Sequence, residues 1–200
     1  MKAAQLTDAL AGRDIRALVI AGSAGGVDAL LKLLPLLPSG YSLPVIVMLH
    51  VPEHRDSRLA ELFSSRISVP AREAADKEDI AAGTVYFAGS GYHLSIENDH
   101  RFSLSNEPPV HFARPAIDVL MVSAAEAYGP HLAAVLLTGA NQDGADGMRI
   151  IKACGGLTVV QDPAEAQVAT MPEQAIKKQA PDLILNLSEI GDLLLQLERK

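Results

Sequence analysis

Three residues of the sequence have side chains suited to acyl transfer: Ser23, His50 and Asp143. Ser23 lies in the glycine-rich stretch AGSAGG, His50 ends the apolar run PVIVMLH, and Asp143 lies in TGANQDGADGM. A serine hydroxyl can attack a carbonyl carbon, a histidine can take up its proton, and an aspartate can orient the imidazole. These residue types predict a serine hydrolase, provided that the fold brings the three side chains together.

Apolar runs alternate with segments of helical periodicity along most of the chain. The runs RALVIAG, PVIVMLH, HLAAVLLTG and GGLTVVQ have the continuous apolar character of strands that are buried on both faces. Between the first two, apolar residues recur at helical spacing, at Val27, Leu30, Leu31 and Leu34. We therefore predict an α/β fold with a doubly wound, mostly parallel sheet and helices on both faces.

The segment from His93 to Asn106 has a different pattern. Its runs HLSI and FSLSN alternate apolar and polar residues around the polar turn 98–100, which predicts one antiparallel β-hairpin at an edge of the sheet. His93 itself is predicted to lie in a loop. Helical periodicity returns after this hairpin, and Pro115 is expected in the first turn of that helix.

The predicted strands place the three chemically active residues at one edge of the sheet. Ser23 follows the first strand, His50 ends the second, and Asp143 follows the third, and in open parallel sheets ligands bind beyond the carboxyl ends of the strands. The N–H groups of Ala24 and Gly25 would lie at the start of a helix, where they could stabilise an oxyanion.

Two other interpretations of AGSAGG stay open on the motif alone. A phosphate-binding loop would need an acidic residue at the end of the second strand, but His50 stands there and the first acid, Glu53, follows in the next loop. The glycine spacing also differs from G-x-G-x-x-G. In a purely structural interpretation, Ser23 would start a helix and His50 would be unrelated to it.

Composition narrows the class of protein. Two hundred residues with 48% hydrophobic content predict one domain with a sizeable core, and the net charge of −7 argues against nucleic acid or an anionic membrane as partner. The sequence predicts neither a signal peptide nor a membrane span. The single cysteine, Cys154, excludes an internal disulfide, fits a cytoplasmic protein and is predicted to be a small buried helix residue.

Four segments together resemble a known family: AGSAGGVDAL, VIVMLHVPEHRDSRLAELF, ARPAIDVLMVSAA and LLTGANQDGADGM. They are similar, in order and spacing, to the catalytic domain of the CheB family of chemotaxis protein-glutamate methylesterases. The likeness predicts such a domain over residues 15–200, preceded by a short N-terminal segment, 1–14. Residue by residue, it implies that Ser23 is the nucleophile, His50 the base and Asp143 the aspartate of the triad.

The resemblance implies an enzyme that removes methyl groups from glutamate esters on chemoreceptor-like proteins and could also deamidate glutamine. It implies no metal and no cofactor, and a methylated protein as the partner; oligomeric state is not predicted. A catalytically weakened signalling module of the same fold and a nucleotide-binding protein remain the alternatives. The family's receiver domain is not found in this sequence, so an excised catalytic domain and a stand-alone protein both fit.

The sequence departs from the family pattern near the expected oxyanion site. Ala24 replaces a common threonine, and Ala140 and Asn141 replace a methionine and a glycine. The family implies that residue 140 lends a backbone N–H to the oxyanion, and loss of the glycine would matter if residue 141 needed a positive φ. Arg114 is expected near the site, where it could contact a carboxylate-rich substrate, or it could be a surface residue or pair with Asp118.

Overall fold

The structure, a computed structural model, describes residues 2–50 and 58–198. Seven α-helices lie in these two ranges: α1 Lys2–Leu10, α2 Gly26–Leu33, α3 Leu59–Ser64, α4 Ile117–Tyr128, α5 Ala145–Ala153, α6 Thr170–Lys178 and α7 Leu187–Glu198. The same ranges contain nine strands: β1 Ala17–Gly22, β2 Val45–Leu49, β3 Ala71–Glu73, β4 Val85–Phe87, β5 His93–Ile96, β6 Phe102–Ser105, β7 Leu132–Leu136, β8 Leu157–Gln161 and β9 Leu183–Leu185.

Seven of these strands form one sheet in the order β3-β4-β2-β1-β7-β8-β9, and every neighbouring pair is parallel. The connections from β1 run towards β2 and β4, whereas those from β7 run towards β8 and β9. The direction of winding therefore reverses between β1 and β7, which is where open α/β sheets form their ligand crevices. The predicted doubly wound parallel architecture is confirmed.

Each face of the sheet has its own hydrophobic core. On β1, Leu18 and Ile20 pack with α1, α2, α3 and α7, while Val19 and Ala21 pack with α4, α5 and α6. This alternation follows from the two-residue period of strand side chains, and it explains why the central strands are apolar throughout. Buried side chains of α1 belong to the core that also contains α2, α3 and α7. The start of the catalytic domain at residue 15 stays a prediction.

The hairpin exists, but its predicted place at an edge of the main sheet is wrong. Strands β5 and β6 pair antiparallel as a separate two-stranded sheet. Leu94, Ile96 and Phe102 are buried in the core that contains α4, and the N–H of Ile96 donates to Ser123 Oγ on that helix at 3.1 Å. Its apolar residues therefore cover α4.

Three local predictions are also wrong. Cys154 is exposed and lies one residue beyond the end of α5, where the backbone turns towards β8. His93 is the buried first residue of β5. Pro115 lies two residues before the first residue of α4, outside its first turn. None of these differences alters the path of the main sheet.

Candidate active site

Ser23 is positioned by the turn that joins β1 to α2. Its N–H donates to Thr138 O at 2.8 Å, and its own carbonyl accepts the N–H of Gly26 at 2.8 Å. Gly25 allows the chain to enter the helix because it takes a φ of 81°, a value that residues with a Cβ rarely adopt. The half-buried serine is thereby held just beyond the carboxyl end of β1.

The three predicted residues meet at this edge of the sheet. Ser23 Oγ lies 3.2 Å from His50 Nδ1, and His50 Nε2 lies 2.8 Å from Asp143 Oδ2. Since the ionised Asp143 can only accept, the Nε2–H of His50 donates to it and Nδ1 is left to accept the serine proton. The imidazole thus connects a hydroxyl to a carboxylate, as an acyl-transfer relay requires.

Asp143 is fully buried and held by several donors. The N–H of Ile117 donates to its Oδ2 at 2.7 Å and the N–H of Asp118 to its Oδ1 at 2.9 Å. Burial alone would raise the pKa of Asp143, but hydrogen bonds from His50 and from these two N–H groups outweigh it and lower the pKa below its ordinary value. The carboxylate therefore stays ionised beside the imidazole.

The predicted oxyanion donors are two N–H groups that directly follow Ser23 and one that lies two residues after Thr138. Within the ranges 2–50 and 58–198, no hydrogen-bond acceptor is found for the N–H of Ala24, Gly25 or Ala140. Ala24 and Ala140 are exposed, and Gly25 is half-buried. Such donors can bind the negative oxygen that forms when a hydroxyl adds to a carbonyl group.

Asn141, where the resemblance leads one to expect a glycine, does not have an unusual backbone conformation. Asn141 is absent from the described residues that have a positive φ, so a side chain is tolerated there. Its Oδ1 accepts the N–H of Asp143 at 3.2 Å. The substitution thus adds a contact to the segment that carries the aspartate.

Thr138 links three segments behind the nucleophile. Its buried hydroxyl accepts the N–H of Val168 at 2.8 Å and lies within donating distance of Ala24 O, at 2.8 Å. Its N–H donates to the buried Gln161 Oε1 at 2.8 Å. Because its carbonyl also accepts the N–H of Ser23, one residue holds the nucleophile turn on both sides.

A second polar cluster adjoins Asp143. His111 Nε2 lies 3.3 Å from Asp118 Oδ2, and potential metal-binding atoms of His111, Asp118 and Asp143 lie within 4.8 Å of one another. Burial raises the pKa of Asp118, and the charge of Asp143 acts in the same direction, against a hydrogen bond from Gly147 and the charge of His111. The Asp143 oxygens already accept hydrogen bonds from His50 and two backbone N–H groups, so this set does not fit a metal centre.

Arg114 lies in the loop before α4, and its side chain contacts backbone carbonyl groups of that loop. Its guanidinium donates to the carbonyls of Asn106 and Glu107, at 3.3 and 3.1 Å. Asp118, its partner in one of the predicted alternatives, contacts His111. A substrate contact by Arg114 stays a prediction.

Comparisons with known proteins identify the family of this chain. A family model described as CheB methylesterase matches residues 18–194. A protein of Leptospira interrogans is 42% identical over 183 residues, which are 92% of this chain and 95% of that protein. The Clostridium acetobutylicum protein-glutamate methylesterase/protein-glutamine glutaminase is 32% identical, over 96% of this chain and 56% of that protein. The crystal structure of the Thermotoga maritima CheB methylesterase catalytic domain matches with a TM-score of 0.87 and 31% identity, over 92% of this chain and 98% of that one. The chain belongs to the CheB methylesterase family.

Two further residues, Thr138 and His93, support this CheB-type site. Thr138 was not singled out, although a polar residue at the carboxyl end of a buried strand was a visible signal. His93 lies behind the loop before α4: its Nδ1 accepts the N–H of Ala116 at 3.2 Å, and its Nε2 contacts Pro108 O at 3.1 Å. It therefore supports the backbone just before the N–H groups that hold Asp143.

Among the helices of the described ranges, none combines the length and the apolar character needed to cross a membrane.

Proposed function

We propose that this chain hydrolyses methyl esters of glutamate side chains in a protein substrate, with Ser23 as nucleophile. The observation that carries the proposal is the continuous contact from Ser23 Oγ through the imidazole of His50 to the buried Asp143. Membership in the CheB methylesterase family supports the same chemistry.

The reaction follows from the roles of the two imidazole nitrogens. As Ser23 Oγ attacks the ester carbonyl, its proton passes to His50 Nδ1, which then protonates the departing methoxide to give methanol. A water molecule, deprotonated at the same nitrogen, attacks the glutamyl-serine ester. Nδ1 then returns the proton to the departing Ser23 Oγ, and the glutamate side chain is released. Asp143 holds the Nε2–H throughout and stabilises the imidazolium without itself taking the proton.

The negative oxygen formed in each addition step is assigned to the N–H groups beside Ser23. Ala24 and Gly25 lie at the start of α2, where the helix dipole favours negative charge, and Ala140 approaches from the segment after β7. All these donors belong to the backbone, so the replacement of larger side chains by alanine keeps them. No step is assigned to a metal or a cofactor.

The substrates proposed are methylated chemoreceptor-like signalling proteins, and the reaction is proposed to take place in the cytoplasm. Deamidation of glutamine is a second proposed activity, because an amide presents the same carbonyl group and the protonated His50 Nδ1 can give its proton to the departing amide nitrogen, which leaves as ammonia. The name of the Clostridium relative includes both activities.

Replacement of Ser23 by alanine tests the proposal. We expect Ser23→Ala to reduce methanol release from methyl-labelled receptor membranes by about three powers of ten or more, with unchanged folding. Ser39→Ala, at an exposed turn, is the matched control and should retain wild-type activity. Ser23→Ala activity within threefold of wild type would exclude Ser23 as the nucleophile, and an inactive wild-type protein would favour the signalling-module alternative.

A further inference from the structure

Residues 110–113 form a tight two-residue turn of unusual composition. The N–H of Val110 donates to Ala113 O at 3.1 Å, and the N–H of Ala113 donates back to Val110 O at 2.9 Å. The two central residues, His111 and Phe112, have φ values of 50° and 61°. Turns with two positive φ values normally carry asparagine, aspartate or glycine, so a bulky residue at both positions makes this backbone strained.

Phe112 gains nothing from packing within the described part of the chain. Its exposed fraction is 104%, against 51% for Tyr92, the next most exposed large hydrophobic residue. A phenylalanine in the left-handed region that is also fully hydrated does not contribute to folding stability. Strained positions of this kind are commonly found at sites of function.

The turn is connected to the active site through its other central residue. His111 Nε2 contacts the carboxylate of Asp118 at 3.3 Å, and the N–H of Asp118 donates to Asp143 at 2.9 Å. The imidazole of His111 has an atom within 4.8 Å of the Asp143 carboxylate. Phe112 is therefore exposed to solvent next to a residue, His111, that lies beside the aspartate of the catalytic relay.

We propose that Phe112 is a docking residue for the protein substrate: it packs against an apolar side chain of the polypeptide segment that carries the glutamate ester. The inference rests on the proposed function. A glutamate side chain that reaches Ser23 brings its polypeptide to this edge of the sheet, and the flanking residues then pass the turn. Aromatic residues are enriched where proteins bind each other, since a rigid ring buries a large area.

The variant that separates the side chain from the turn is Phe112→Asn. Asparagine tolerates a positive φ, so the turn is kept while the aromatic ring is removed. Phe112→Tyr retains the ring and should rescue the effect. Ile184→Ala, which shortens a hydrophobic residue that is 43% exposed on β9, is the control for a general loss of exposed apolar surface.

Two measurements are made on each variant. The first is the ratio of kcat/KM for methylated receptor membranes to kcat/KM for N-acetyl-glutamate γ-methyl ester, a substrate without flanking residues. We expect Phe112→Asn to lower this ratio about tenfold, mainly through KM, and Phe112→Tyr and Ile184→Ala to leave it within twofold. The second is co-sedimentation with the same membranes in a Ser23→Ala background, where Phe112→Asn should weaken binding by about the same factor.

The outcomes separate this inference from the function on which it rests. Wild-type hydrolysis of the small ester together with an unchanged ratio in Phe112→Asn would overturn the docking role and leave the esterase intact. An equal loss on both substrates would show that Phe112 supports the site structurally, which also overturns it. Absence of hydrolysis of either substrate by the wild-type protein would contradict the proposed function itself.

Discussion

Both imidazole nitrogens of His50 make a contact, Nδ1 with Ser23 and Nε2 with Asp143. Backbone N–H groups at the start of α4 hold Asp143 in position for the second contact. Three donors surround a carboxylate that is fully removed from water. Their hydrogen bonds favour the charged form strongly enough to overcome the cost of burial, so the same contacts that orient His50 also make folding depend on pH.

This dependence has a definite sign. Because the pKa of Asp143 is lower in the folded than in the unfolded protein, its contribution to stability is complete above the unfolded pKa and is lost as pH falls through the folded pKa. We expect the difference in free energy of unfolding between wild type and Asp143→Asn to narrow as pH is lowered from about 6 to about 2. Urea unfolding across this range measures it, and a gap that widens in acid would contradict the assignment.

Thr138 offers a residue-scale test of positioning. Thr138→Val keeps the shape but removes the hydroxyl that accepts the N–H of Val168 and reaches Ala24 O. We expect a loss of about 1–3 kcal/mol in the free energy of unfolding, together with a fall in kcat that exceeds any change in KM. Thr138→Ser, which retains the hydroxyl, should restore kcat. Equal kcat for the valine and serine variants would show that the hydroxyl does not position the nucleophile.

The sequence reveals these residues to different degrees, and the reason is physical. Ser23, His50 and Asp143 could be found because each follows an apolar strand, and parallel strands bring their carboxyl ends together. The roles of Thr138 and His93 depend on hydrogen bonds to backbone groups far along the chain, and no spacing in the sequence encodes such partners.

At the scale of elements, the turn before α2 leaves little space for a side chain at Gly25. A Cβ on Gly25 would lie 2.6 Å from Gln167 Oε1 and 3.0 Å from Thr138 Cγ2, in addition to the strain of a φ of 81°. Gly40 has a nearly equal φ of 80°, but no atom lies within 4 Å of the position of its Cβ. A substitution at Gly40 therefore measures the cost of the backbone strain alone.

We therefore expect Gly40→Ala to lower the free energy of unfolding by about 1–2 kcal/mol and to leave activity unchanged. Gly25→Ala should lose more stability and should also lose activity, because the turn that carries Ser23 must shift. Thermal unfolding and methanol release measure the two effects. Equal stability losses in the two variants would mean that the space around Gly25 is not restrictive.

Elements that the sequence did not predict are those with weak periodicity. Strands β3 and β9 have three residues each, too few for a pattern to stand out from the surrounding loops. Among its described side chains, helix α1 buries Leu6 and Leu10 in the core, and Ala9 packs against it half-buried. The edge placement of the hairpin failed because alternation identifies a half-buried strand without identifying what covers it.

For the whole molecule, the net charge predicts how salt affects the rate at which the enzyme and its protein substrate associate. The chain has 24 acidic and 17 basic residues, and each turnover leaves another carboxylate on the substrate. We expect the second-order rate constant on receptor membranes to rise when salt is added to a low-salt buffer, since long-range repulsion is screened. Hydrolysis of N-acetyl-glutamate γ-methyl ester, which carries a single carboxylate, should respond much less. A steep fall with salt on the membranes would instead indicate a basic docking patch, with Arg114 the first residue to replace.

The reversal of winding between β1 and β7 also determines when the active site forms during folding. Ser23 and His50 are 27 residues apart and His50 and Asp143 are 93 apart, and their contact depends on pairing of β2, β1 and β7 at the centre of the sheet. Pairings between distant segments form slowly, because the entropy of closing the intervening loops must be overcome first. A nascent or truncated chain that lacks β7 therefore has no catalytic centre, and hydrolysis begins only when the middle of the sheet has closed. Return of activity after denaturation thus reports assembly of the central strands.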